Sequence, residues 1–335
     1  MLKVGKLDSD LLEKIIIENI KYKRPEVLTR AGVGEDCANI DFGQYECVVS
    51  TDPITAAISD IGKLAVYISC NDIASNGIEP LGITLAVLLP EGTTKEEIEQ
   101  IMQDASAASE ECGVEIIGGH TEITAAVNKP VIVSTAIGRG RKRQSASAED
   151  IKVGDCILMT KTAGLEGTGI IASDFYKELS KFLSDDEIKE AASLLNNVSV
   201  VKEGILAGAI GTHGMHDVTE GGILGAVWEI CGIGGVGAEI WADKVPVENV
   251  TRKICDHYSI DYLRLISSGS MLIIASPDKK DEIIKKLSAS GVSSCIIGKI
   301  VEKSEGLNVI TNGIKEAIDP PRPDELYKVV NRDIK

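Results

Sequence analysis

A chain of 335 residues has room for one large or two ordinary domains and for a sizeable buried core. Its 51 acidic and 35 basic side chains leave a formal charge of −16, which repels nucleic acid and anionic membranes unless basic residues gather in one patch. Aromatic residues make up 4% of the chain against 33 glycines, so base-stacking platforms are excluded and tight turns expected.

The first twenty residues, MLKVGKLDSDLLEKIIIENI, read as an amphipathic helix. Asp8, Asp10, Glu13 and Lys14 interrupt any signal-peptide core, and the longest apolar run, residues 81–90, is too short to span a membrane. A cytoplasmic chain is expected. The eight cysteines are scattered without a CxxC pair, which points to reduced thiols acting as small hydrophobes. Residues 32–36 form a loop carrying Asp36, and residues 46–51 a strand ending at Asp52-Pro53. A helix follows the start signal at residues 59–63, contains Asn71-Asp72 and stops near Gly77. Residues 81–89 are a strand. Thr93-Thr94-Lys95-Glu96-Glu97 opens a helix that Gly113 closes. Residues 114–117 are a buried strand delivering Gly118-Gly119-His120-Thr121 as a turn, and 131–137 another strand. A basic, then small and polar stretch over 138–155 marks a candidate domain boundary. Beyond it, strands are expected at 156–161, 236–240, 269–275 and 295–301. Helices are expected at 164–181, 200–209, 223–231, 247–257 and 278–290, with Asp217 in the loop before the third of these.

Asp36, Asp52, Asp72 and Asp217 all stand at element ends among Gly, Ser, Thr or Asn. One such Asp is commonly a helix cap or an Asx turn; four in one chain suit Mg²⁺ held together with nucleotide phosphates. The turn at residues 118–121 offers N–H groups to a phosphate. No Walker spacing is present, and no GxGxxG precedes a helix in a βαβ unit. Gly138-Arg139-Gly140-Arg141 and Lys161 offer positive charge to a polyphosphate, while a solvated face is the alternative for residues 141–143. His213 and His216 lack the i, i+4 spacing of a zinc pair and have no nearby Cys, so zinc is not expected. Ser268-Gly269-Ser270 does not fit a nucleophile elbow.

The segments GVGEDCANI, VVSTDP, DIGKLAVYISCNDIASNGIEPLG, IIGGHTEIT and MHDVTEGGILGAVWEIC resemble, in that order, the motifs of the PurM-like (AIR synthase related) superfamily, above all its HypE-like hydrogenase-maturation branch. The resemblance implies an α/β (α+β) fold of two domains, residues 1–150 and 151–335. The first would join a partner's strands in a dimeric β-barrel-like core; the second would carry a ferredoxin-like sheet flanked by helices. It implies a homodimer with ATP in the cleft between domains. Asp36, Asp52, Asp72 and Asp217 then match acids that bind Mg²⁺ and ATP phosphates, and Gly118, Gly119 and Thr121 the phosphate turn. Thr51 and Lys161 are further nucleotide contacts, with His120 and Asp52 as catalytic candidates. The implied activity is ATP-dependent phosphorylation of an oxygen of a small-molecule or carboxamide substrate. The alternative is a nucleotide-binding maturation or scaffold protein that docks a protein partner and turns ATP over little or not at all. HypE-like chains end in a reactive cysteine, whereas this sequence ends Asn331-Arg332-Asp333-Ile334-Lys335, so their terminal-thiol chemistry is not expected.

Overall fold

Buried and open side chains alternate along residues 45–54, the period of a strand with one covered face. In the computed structural model, which describes residues 7, 9–55, 60–142 and 144–330, this segment is β3 (Tyr45–Ile54) of a six-stranded sheet. Its companions are β1 (Val27–Thr29), β2 (Ala38–Asp41), β4 (Pro80–Leu89), β5 (Glu115–Ile123) and β6 (Val131–Arg141), in the order β1-β2-β3-β6-β4-β5. Ser59, Arg143, residues 331–335 and much of the expected first helix lie outside the described residues; Ser9–Leu11, Leu12–Ile16 and Ile17–Asn19 are short α, π and 3₁₀ turns.

The expected barrel-like core is not what the chain builds. The sheet is open, running from β1 at one edge to β5 at the other, and these two strands do not pair. Closure requires edges able to hydrogen-bond to each other. Here β1 is three residues long and its register shifts against β2. Two further expectations are corrected. Asp52 and Pro53 lie within β3, paired with Ser134 and Val133 of β6, instead of following the strand. Gly118 and Gly119 lie inside β5, parallel to β4, instead of forming a turn. Gly119 has φ +152°, and a Cβ there would lie 1.9 Å from the Leu85 carbonyl oxygen; glycine lets the two backbones meet.

One face of this sheet is covered by the Ile61–Ser75 helix, in which every residue but Lys63 is buried, as befits a helix apolar on all sides. The Lys95–Cys112 helix packs outside it, opened by a Thr94/Glu97 capping box and closed by Gly113 in the left-handed conformation. On the opposite face Cys47, Val49, Val133, Ile137, Ala86 and Leu88 remain half-buried.

The second sheet comprises β7 (Cys156–Thr160), β8 (Gly214–Asp217), β9 (Gly237–Trp241), β10 (Met271–Ala275), β11 (Ser294–Val301), β12 (Leu307–Thr311) and β13 (Ile314–Ala317), in the order β13-β12-β9-β11-β7-β10-β8. Its run β11-β7-β10-β8 is antiparallel throughout and follows the strand order of a ferredoxin-like sheet. The largest apolar cluster joins the two halves: Ile61, Tyr67 and Ile73 share it with Leu165, Leu195, Val250 and Tyr258.

Candidate functional site

Three backbone segments from different parts of the fold converge at the seam between the sheets. The loop between β1 and β2 carries Asp36. The last turn of the Ile61–Ser75 helix carries Asp72, and β8 ends at Asp217. Strand β8 can stop there because Gly222 takes φ +61° where a Cβ would meet the Leu263 carbonyl oxygen at 2.6 Å, so the chain turns at once into the Gly222–Gly234 helix.

Ser50 ties the first acids together. Its Oγ lies 2.5 Å from Asp72 Oδ2 and 3.3 Å from Asp52 Oδ2, so one hydroxyl links two carboxylates. Asp72 is 3% exposed; burial, then the charges of Asp217, Asp52 and Asp36, raise its pKa well above the usual carboxylate range. The same surroundings act on Cys37. Burial and, after it, Asp72, Asp36, Asp217 and Asp52 hold its thiol far up. A buried carboxyl with three others near it is an arrangement that a divalent cation relieves.

His216 joins this group. Its Nδ1 donates to the Asp217 carbonyl oxygen at 2.6 Å, and its Nε2 lies 3.6 Å from Asp36 Oδ2 and 3.5 Å from Glu229 Oε2. Donor atoms of Asp36, His216 and Asp217 all fall within 4.8 Å of one another. Burial lowers the His216 pKa, but Asp36, Glu229 and Asp217 outweigh it and the net direction is up. Asp36, Asp72 and His216 open onto a cavity of about 290 Å³ that Arg30, Ser145 and Glu149 also line. Carboxylate oxygens beside a buried imidazole nitrogen that makes no hydrogen bond fit a divalent cation.

Other expected contacts lie apart. Thr51 points to the opposite sheet face, bonded to Thr135 at 2.9 Å. His120 pairs with Glu122 at 3.2 Å on exposed β5, and three inter-strand steps separate β5 from β3, about 14 Å at about 4.8 Å each. Gly118, Gly119 and Thr121 share that distance. The Lys161 Nζ donates to the carbonyls of Asn197 (3.1 Å), Ser199 (2.6 Å) and Gly269 (2.9 Å) and lies 2.6 Å from Glu203. These partners turn it into the protein interior. Asn71, next to Asp72, holds the same segment through Val198 and Val200.

Sequence reasoning had set His216 aside and did not single out Ser50, Glu229 or Arg30. For Ser50 a signal existed, since alternation places it on the Asp52 face of one strand. Glu229 lies seven residues into a helix, with no local mark.

Comparison with known proteins places the chain in a family. Residues 34–140 match the N-terminal domain of AIR synthase related proteins, and residues 152–310 match their C-terminal domain. The chain belongs to the AIR synthase related family. Within it, a putative hydrogenase expression/formation protein of Methanocaldococcus jannaschii is 27% identical over 338 residues, covering 97% of each chain. HypE in a crystallised HypE–HypF complex superposes with a TM-score of 0.77 at 23% identity, over 93% of this chain and 99% of that one. HypE in complex with ATP superposes with a TM-score of 0.73 at 20% identity, over 96% and 97%. This AIR synthase related chain thus shares their fold over almost its whole length. Among its described residues no helix is long and apolar enough to cross a membrane.

Proposed function

We propose that this chain is a Mg²⁺-dependent, ATP-utilising enzyme that phosphorylates an oxygen atom of a small-molecule or carboxamide substrate. The observation that carries the reading is the approach of Asp36, Asp52 and Asp217 to the buried Asp72, with Asp36 and Asp72 on the wall of a cavity. The fold shared with HypE crystallised with ATP supports the nucleotide.

In this reading Asp36 and Asp217 are the direct metal ligands, with Asp72 and Asp52 completing the negative field and Ser50 fixing their relative position. Mg²⁺ held by these residues would offset phosphate charge and align the γ-phosphoryl for in-line transfer. Arg30, on the cavity wall, supplies a cation for phosphate oxygens. The acceptor oxygen would form a bond to the γ-phosphorus as the acceptor's O–H or amide N–H proton passes to solvent, the bond to the β,γ-bridging oxygen would break, and ADP would leave. We assign the half-buried apolar sheet face of Cys47, Val49, Val133 and Ile137 to a second copy of the chain, giving a homodimer.

Asp36→Asn and Asp217→Asn should each abolish Mg²⁺-dependent ATP binding in titration calorimetry; unaltered affinity overturns the site. The kinship with HypE in a HypE–HypF complex favours a second reading, a nucleotide-binding maturation protein that docks a protein partner with little turnover. ADP formation with carboxamide, aminoimidazole, thiamine monophosphate or selenide acceptors separates the two. Acceptor-stimulated release supports the enzyme, and its absence with every acceptor supports the docking protein.

A further inference from the structure

We infer that His216 is itself a ligand of the cation at the Asp36–Asp217 site, through Nε2, and that the site therefore prefers Mn²⁺ to Mg²⁺. The inference rests on the metal reading above and adds the ligand and the ion class.

The tautomer follows from geometry. A carbonyl oxygen only accepts, so the 2.6 Å contact from Nδ1 to the Asp217 carbonyl places a hydrogen on Nδ1. That leaves Nε2 as the atom with the lone pair whenever the ring is neutral. Nε2 is buried, makes no hydrogen bond, and faces Asp36 Oδ2 at 3.6 Å and Glu229 Oε2 at 3.5 Å. A lone pair aimed at two carboxylates is repulsive unless a positive charge lies between them. A cation does this with Asp36 and Asp217 as its further ligands, since their donor atoms fall within 4.8 Å of the His216 ring. The spacing is a little wider than the roughly 3 Å between neighbouring ligands of an octahedral ion with bonds of about 2.1 Å. An Nδ1–H held by a backbone carbonyl is also the arrangement that orients a ligating imidazole in metal sites generally.

Ligand chemistry then selects the ion. Mg²⁺ is hard and takes oxygen, whereas imidazole nitrogen suits first-row transition ions, among which Mn²⁺ also accepts carboxylates and phosphates in octahedral geometry. The backbone bond of Nδ1 can be preserved in His216→Asn, whose Nδ2 still donates to the Asp217 carbonyl while nothing reaches the Nε2 position.

The test uses the full chain with Mn²⁺ and a non-hydrolysable ATP analogue, read by pulsed electron paramagnetic resonance and by competition with Mg²⁺. Wild type should show nitrogen hyperfine coupling from one directly bound imidazole and bind Mn²⁺ about tenfold or more tighter than Mg²⁺. In His216→Asn the coupling should vanish and the preference fall by about that factor. Bound Mn²⁺ without nitrogen coupling in wild type overturns the role of His216 and leaves the metal site standing; because it is read on the unaltered chain, it is independent of how well the variant folds. No Mn²⁺ bound, with or without nucleotide, overturns the metal site itself.

Discussion

Replacing Lys161 by Met tests whether this lysine is a phosphate contact or an internal fastener. Its ammonium is ringed by three backbone carbonyls and Glu203, whose side chain is 2% exposed against 19% for the lysine. Removing the lysine strands a buried carboxylate and three carbonyls, and breaking one side of such a pair costs about 3–5 kcal/mol. An unfolding entropy of about 2.1 cal/mol/K per residue gives ~0.7 kcal/mol/K for a chain of this size, so the melting temperature should fall by about 4–7 °C. Differential scanning fluorimetry without nucleotide reads this directly. Lys161→Met with Glu203→Gln should recover about half of the loss or more, because no buried charge is then unopposed. ATP affinity at a temperature where the variant is folded should stay within about threefold of wild type. A variant of unchanged melting temperature that has lost ATP binding refutes the reasoning and makes Lys161 a nucleotide ligand.

Burial pushes the Glu166 carboxyl up to about 7 against the pull of nearby Ser268, and Asp324 and Glu220 add to the rise. A carboxyl whose folded pKa is raised contributes stability that is complete below its unfolded pKa and is lost as pH rises through the folded one. Wild-type stability should therefore decline between about pH 5 and 8, and Glu166→Gln should regain on the order of 3 kcal/mol at pH 8; parallel pH profiles for the two proteins would exclude this. Asp72→Asn should raise the metal-free melting temperature by removing a buried carboxyl that neighbouring acids disfavour, yet weaken Mg²⁺-dependent ATP binding about tenfold or more, ~1.4 kcal/mol. A variant both less stable and unchanged in binding contradicts that account. Gly119→Ala drives a Cβ to within 1.9 Å of the Leu85 carbonyl and should cost about 1–3 kcal/mol. Faster amide exchange confined to Glu115–Ile123 and its β4 partners is the expected signature.

Local chemistry made parts of this fold legible. Thr94, Glu97 and Gly113 mark both ends of one helix because caps act within a turn of the chain. The acids of the site were legible for a similar reason, each standing beside small or turn-forming residues. What failed was set by distant partners. Pro53 suggests a strand end, yet β3 continues, because β2 pairs only as far as Val49 and Pro53 lies where β3 has β6 alone as a neighbour. The Gly118-Gly119 pair suggests a turn until the Leu85 backbone is seen against it. Strand β8 is four residues whose extended form depends on β10, and with it His216 enters the site. The β12–β13 hairpin is not among the expected elements, although Asn312 and Gly313, at φ 51° and 81°, form the Asn-Gly turn that joins its two short strands.

The apolar cluster that unites Ile61, Tyr67 and Ile73 with Leu165, Leu195, Val250 and Tyr258 bears on how the molecule melts. Two sheets suggest two independent units, but a helical layer common to both leaves neither half with a complete interior. Cutting the chain near residue 150 would uncover one side of the Ile61–Ser75 helix, and the isolated halves should aggregate instead of folding. Heat should then produce one calorimetric transition, not two. Since Asp36 and Asp72 stand on one side of that layer's seam and Asp217 on the other, the acids keep their spacing for as long as the protein is folded at all.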